Sequence, residues 1–218
     1  MADLHIRCRI LALFICASLC PTAGYAGELQ VGFAQLAITP EIVDQWVDVN
    51  DDAQFDPDID EWTDLNGNGV FDPVWIAGFQ KQRAAQGVKD DLMAVAVVID
   101  DGDRRIAIVA TDTIGLMRKF VLEVRGSVPS DWGIDYLMVH ATHNHEGPDT
   151  QGLWGPGFFT SGIDSDYMLS LQRAILTAVE SAIDNLEPAE LSIARIKTDP
   201  RTPIKDKRKP IIIDEDIR

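Results

Sequence analysis

Runs of apolar residues along this chain change period in an order that predicts a mixed α/β fold. Residues 27–40 read as a first strand closed by Thr39-Pro40. Two β-rich runs, 92–99 and 104–110, flank the turn sequence Asp100-Asp-Gly-Asp103 and predict a hairpin. Residues 116–128 follow as a helix and 134–140 as a strand, an order that predicts a parallel crossover unit. Asp164-Ser-Asp-Tyr167 opens a second helix, in which Met168, Leu171, Ile175, Val179, Ile183 and Leu186 recur at helical spacing before Pro188. Residues 191–196 read as another strand, and 211–218 as a strand that has barely begun. The expected architecture is a mixed sheet with flanking helices. It is read as the incomplete, N-terminal part of a larger domain, interrupted by an acidic insert over 44–75.

Residues 1–26 stand apart from this pattern. Arg7 and Arg9 precede an unbroken apolar run over 10–20, and Ala23-Gly-Tyr-Ala26 places small residues where a signal peptidase reads. A secretory signal cleaved after Ala26 fits, leaving 27–218 as the mature part. A membrane anchor fits less well, because a span needs about 20 apolar residues. Lipid attachment at Cys20 is disfavoured by the bulky Leu19 before it. All three cysteines (Cys8, Cys16, Cys20) fall in this segment, so the mature chain has no disulfide. An exported chain without disulfides takes its rigidity from a large core or from metal. Losing Arg7, Arg9 and Asp3 moves the formal charge from −16 to −17. That acidity excludes nucleic acid as a partner and favours divalent cations. With no later apolar run long enough to cross a membrane, the expected location is periplasmic or secreted. Oligomeric state is not legible.

The acidity is concentrated. Residues 44–72 hold ten aspartates and glutamates, and no lysine or arginine occurs between Arg9 and Lys81. Asp48-Val-Asn50-Asp-Asp52 through Asp56-Pro57 recurs sixteen residues later as Asp64-Leu-Asn66-Gly-Asn68 through Asp72-Pro73. Oxygen side chains at relative positions 1, 3, 5 and 9 match the spacing with which a tight loop wraps Ca²⁺. Gly69 occupies the sixth position, Ala53 its counterpart, and neither copy has the glutamate at position twelve of an EF-hand. The loops are more similar to those of dockerin and thrombospondin-type repeats. A solvated, self-repelling loop is the competing reading. The repeat and its aromatics (Phe55, Trp62, Phe71, Trp75) favour calcium, with Asp48, Asn50, Asp52, Asp56, Asp64, Asn66, Asn68 and Asp72 as ligands and folding of the insert as its role.

The candidate chemistry lies in Ala141-Thr-His143-Asn-His145-Glu-Gly-Pro-Asp149, directly after a predicted strand. In extended backbone, side chains at i and i+2 share a face, which would aim both imidazoles at one ion or substrate atom. Paired imidazoles at a strand end suit a metal site. His140 is expected to be a hydrogen-bonded core residue. Metallo-β-lactamase-like enzymes follow such a pair with Asp-His, whereas Glu146-Gly147 follows here. Amidohydrolase barrels place theirs on the first strand.

Thr142-His-Asn-His-Glu-Gly-Pro148 resembles the T-H-T-H-S-G-P signature of the neutral/alkaline, non-lysosomal ceramidases. Residues 31–40 resemble that family's opening G-x-x-x-x-D-I-T-P strand. Gly87-Val-Lys-Asp-Asp-Leu92 and Asp112-Thr-Ile-Gly-Leu116 resemble its G-V-H-D-P-L hairpin and D-x-x-G-L. Together these cover most of residues 30–160 apart from the insert. Asn144, Glu146, Lys89 and Asp91 depart from the pattern.

The resemblance implies a zinc-activated water attacking the amide that joins a fatty acid to a sphingoid base. It implies His143 as a zinc ligand, and His145 as the catalytic residue that supports the tetrahedral intermediate or moves its proton. In the family a second histidine, a glutamate and a tyrosine complete the site further along, and no histidine follows His145 here. The chain is therefore expected to be a fragment, with doubtful activity alone, of a zinc amidohydrolase acting on a lipid amide or other small molecule. Two alternatives stay open: another metal-dependent amide or ester hydrolase on the same domain, and a calcium-dependent secreted binding protein with vestigial histidines.

Overall fold

Alternation of apolar residues builds one sheet around which the rest is arranged. In the computed structural model, residues 27–197, 209–210 and 216–217 are described; the predicted signal segment, its cysteines and most of the tail lie outside them. The elements are β1 (Gln30–Ala37), β2 (Gln45–Val47), β3 (Glu61–Thr63), β4 (Met93–Asp100), β5 (Arg105–Thr111), α1 (Arg118–Gly126), a 3₁₀ turn (Ser130–Trp132), β6 (Tyr136–Ala141), α2 (Ser165–Asp184), β7 (Glu187–Pro188), β8 (Ile196–Lys197) and β9 (Asp216–Ile217). Five strands form a mixed sheet in the order β6-β5-β4-β1-β7. β5 and β6 are parallel and the other neighbours antiparallel. α1 makes the β5–β6 crossover, as the pattern predicts.

One parity of each strand is buried beneath the helices. Ala94, Ala96, Val98, Ala107, Val109, Leu137 and Val139 pack with Leu171, Ile175, Ala178, Val179 and Ala182 of α2 and with Phe120 and Val124 of α1. Small residues in the middle strands let α2 lie close. Asp164 caps α2, its carboxylate accepting from the Asp166 and Tyr167 amides. Within that core the Tyr167 hydroxyl has no hydrogen-bond partner among the described residues, and burial pushes its pKa above the ordinary phenol range. The opposite parity forms ladders such as Val31–Ile99–Ile106–Tyr136 and Phe33–Val97–Ile108–Met138, whose members are only partly buried or exposed. At the hairpin turn, the Gly102 amide and then Arg105 hold the Asp100 carboxyl below its usual pKa.

Two expectations change. His140 is exposed on β6, because Leu137 and Val139 take the inward parity and leave Tyr136, Met138 and His140 outward. Residues 191–195 are not a strand: no neighbour among the described residues offers them a ladder, and Leu191 and Ile193 are exposed. Only Ile196–Lys197 pairs, antiparallel, with Asp216–Ile217.

The insert is ordered by the described contacts and has its own small core. Trp46 of β2 pairs with Trp62 of β3, residues related by the sixteen-residue repeat. Trp46, Phe55, Phe71 and Trp62 stack in series at centroid distances of 5.7, 4.2 and 5.3 Å. This aromatic cluster is separate from the sheet core.

Candidate metal centre at the end of the parallel strands

Parallel strands β5 and β6 deliver their carboxyl ends to one place, and the chemistry-bearing loops begin there. Thr111 and Thr113 are buried, with hydroxyls 3.0 Å apart. The Thr111 carbonyl accepts the Thr142 amide at 2.9 Å, and the Thr113 carbonyl accepts those of His143 and Asn144 at 3.1 Å each. Asp112 takes the Thr142 hydroxyl at 3.0 Å and the Met93 amide at 3.0 Å. The histidine loop is thereby fastened to the sheet.

The two rings meet, though for a different reason from strand alternation. β6 ends at Ala141, and His143 adopts φ 68°, in the left-handed region. This turn, not extended backbone, folds the loop back on itself. The Ile114 carbonyl can only accept, so His143 Nδ1 carries the proton in their 2.7 Å bond and the ring turns its Nε2 towards His145. His145 Nε2 lies 3.3 Å from His143 Nε2. Zn–N bonds of 2.0–2.1 Å in a tetrahedron place two ligand nitrogens about 3.3–3.4 Å apart. The spacing suits two donors of one ion, and equally one donor with the second ring in hydrogen-bond reach of the same position. Among the described residues no group of three or more His, Cys, Asp or Glu is arranged to hold a metal.

Sequence reading missed the groups that hold His145. Its ring lies against Gly78 (φ 90°), where a Cβ would come within 2.6 Å of the imidazole. The Phe79 ring meets it edge-on at 5.0 Å. Arg83 donates to the His145 carbonyl at 3.1 Å and to Glu146 Oε2 at 2.8 Å, and lies over Phe79 at 5.4 Å. Asn144, where the resembled motif has threonine, closes an Asx turn on the Glu146 amide at 2.7 Å. Asp149, quoted above without a role, is 1% exposed and takes the amides of Gln151, Gly152, Trp154 and Gly162. No local periodicity signals any of these contacts except the Asx turn.

Beside the pair is a cleft of about 470 Å³. Ile42, Val74, Ile76, Val88 and Leu92 line it together with the charged Lys89, Asp90, Asp91, Asp112 and Glu146; Asn144 and Glu146 reach it from the histidine loop, but neither imidazole lines it.

In the insert, the two copies share a backbone path. Positions four and six are left-handed in both: Asp51 and Ala53 at φ 58° and 59°, Gly67 and Gly69 at 74° and 78°. Asp64 accepts the Gly67, Asn68 and Gly69 amides, and Asp72 takes the side-chain amides of Asn66 and Asn68, so these four predicted ligands are together. In the first copy Asp48 accepts the Asp52 and Ala53 amides and Asn50 bonds Asp52, while Asp56 turns to the Asp58 amide. Each loop is closed by a buried aspartate of the other copy. Asp60 takes the amides of Val49 and Asp56; Asp44 takes those of Leu65 and Asp72. The signal for these was present, since Asp44-x-Trp46 and Asp60-x-Trp62 extend the repeat by four residues.

No family model and no curated protein matches the chain. Among solved structures it is similar to a ceramidase complexed with C2 and to the neutral ceramidase from Pseudomonas aeruginosa. Each comparison has a TM-score of 0.52 and 19% identity over 78% of this chain. The chain spans about a quarter of the length of those proteins, 24% and 25% respectively. The shared property is the fold.

Proposed function

We propose that this chain carries the histidine half of a zinc-dependent amide-hydrolase site, with a ceramide-like N-acyl lipid as its substrate class. The observation that carries the reading is the 3.3 Å separation of the two Nε2 atoms, with His143 held through its Nδ1 by the Ile114 carbonyl. The fold's likeness to ceramidase structures supports the substrate class. Further donors would come from outside the described residues. When bound, zinc supplies a water with a pKa near about 7 and polarises the amide carbonyl. His143 would hold the ion through Nε2, kept in line by the Ile114 carbonyl. His145 borders the same position and would move a proton at its Nε2, from water towards the leaving amine.

The test is metal content together with turnover, in the full reading frame. His143→Ala is expected to lower zinc occupancy at least tenfold, the upper range for losing a ligand or its support being larger still. Equal, low zinc in wild type and variant would sink the enzyme reading. His145→Ala is expected to keep zinc and lose turnover; loss of the metal instead would make it a second ligand. Fatty-acid release from ceramide, set against simple amides and esters, separates a ceramidase from another hydrolase on the same fold.

Two further assignments accompany this reading. The segment 1–26 would export the protein to the periplasm or beyond, and among the described residues no helix is long and apolar enough to cross a membrane. The paired loops at Asp48 and Asp64 would bind calcium as a structural ion. Calcium at a hundredfold over its Kd should raise stability by about 2.7 kcal/mol relative to chelator. An unchanged melting midpoint and unchanged tryptophan emission would rule this out.

A further inference from the structure

The two histidines are held by different parts of the molecule. His143 is fastened to the sheet, through the Thr113 and Ile114 carbonyls. His145 is fastened to residues 77–83, through Gly78, Phe79 and Arg83. The gap between their Nε2 atoms is therefore set by how residues 77–83 sit on the sheet.

Those residues are seated by the insert on one side and, on the other, by the 147–158 loop, which bonds Ala77, Lys81 and Gln82. The Phe55 amide donates to the Gln82 carbonyl at 2.7 Å, and the Gln82 side chain returns a bond to the Phe55 carbonyl. Trp46 Nε1 donates to the Ala84 carbonyl at 3.2 Å, and Ala84 is buried in the insert's aromatic cluster. The Arg83 carbonyl accepts the Ile76 amide at 2.7 Å. Phe79 and Gln82 adopt φ 43° and 62°, conformations that need such external restraint in residues with side chains.

Arg83 is the link between the two parts. Its side chain is 13% exposed and donates three ways, to the His145 carbonyl, to Glu146 and, at 3.4 Å, to the Ala77 carbonyl. A planar guanidinium satisfies several acceptors in fixed directions, which an ammonium cannot. It also lies over the Phe79 ring that meets His145 edge-on. We infer that Arg83 is the positioning residue of the histidine pair, and that the acidic insert acts on the pair through it. This rests on the pair being the metal-holding site proposed above.

The test uses the whole 218-residue chain. Cobalt(II) affinity is read from its visible absorption, and ring proximity from the nuclear Overhauser effect between the Hε1 protons of His143 and His145 without metal. Arg83→Met should abolish the Overhauser effect and change the visible spectrum of bound cobalt, because the His145 ring beside the ion is displaced while His143 stays anchored to the sheet. Arg83→Lys should recover part of both. Glu146→Gln should change affinity less than about fivefold, because that carboxylate is largely exposed while the bonds to the two carbonyls remain. Phe55→Ala should reproduce Arg83→Met from a distance, with the amide spectrum of β4 and β5 unchanged because the two cores are separate. A wild-type cobalt spectrum and a retained Overhauser effect in Arg83→Met would overturn the inference. So would a Phe55→Ala variant that keeps both. If His143→Ala binds cobalt as well as wild type, the metal-site reading fails, and an Overhauser effect lost in Arg83→Met still reports positioning.

Discussion

Adding one methyl group at Gly32 is expected to destabilise the chain by about 3 kcal/mol, the upper end for overpacking a core. Gly32 faces α2, and a Cβ there would overlap the Ala182 carbonyl oxygen and crowd the Leu186 amide. Both are backbone atoms, so no side-chain rotation relieves the clash. Moving α2 away would open gaps against Ala94, Ala96 and Val98, which are fully buried beneath Leu171, Ile175 and Val179. Urea unfolding of Gly32→Ala measures the loss. A midpoint equal to wild type would mean that helix and strand are not packed so closely.

Asp149→Ala is the second large loss, expected at about 3 kcal/mol because it removes a buried acceptor shared by several amides. Four amides from residues 151–162 converge on that carboxylate at 2.8–3.1 Å. Alanine would leave them without that acceptor. The Asp149 amide is itself bonded to Trp75, so the change loosens the loop next to the histidines as well as the insert's edge. Asp149→Asn keeps one carbonyl oxygen and should fall between the two. Denaturant melts read the energy; amide exchange at Gln151, Gly152, Trp154 and Gly162 reads the place. Slow exchange at those four amides in Asp149→Ala would show that the carboxylate does not hold the loop.

Both predictions turn on contacts between residues far apart in sequence, and that is where sequence reading stopped. Strand alternation at 92–99 and 104–110 located the hairpin, because every second residue is buried and the pattern is local. Helical spacing from Met168 to Ile183 located α2 equally well. The run 191–196 misled, since β-propensity without a neighbouring strand makes no ladder. His140 misled too. A lone histidine carries no parity until Leu137 and Val139 are known to face the helices.

The sequence by itself determined the order of β1, the β4–β5 hairpin, α1, β6 and α2, the sixteen-residue repeat and the two histidines that carry the candidate chemistry. These are written in short-range spacing, which a single chain displays without folding. Only the tertiary structure decided how the rings of His143 and His145 meet, through a left-handed turn and two separate anchors. It alone joined the insert to the pair through Arg83, and let each calcium-like loop be closed by an aspartate of the other copy. The physical reason is range. Hydrophobic period is set by neighbours three or four residues away, whereas hydrogen bonds and ring contacts are set by whichever groups the folded backbone brings within about 3–5 Å.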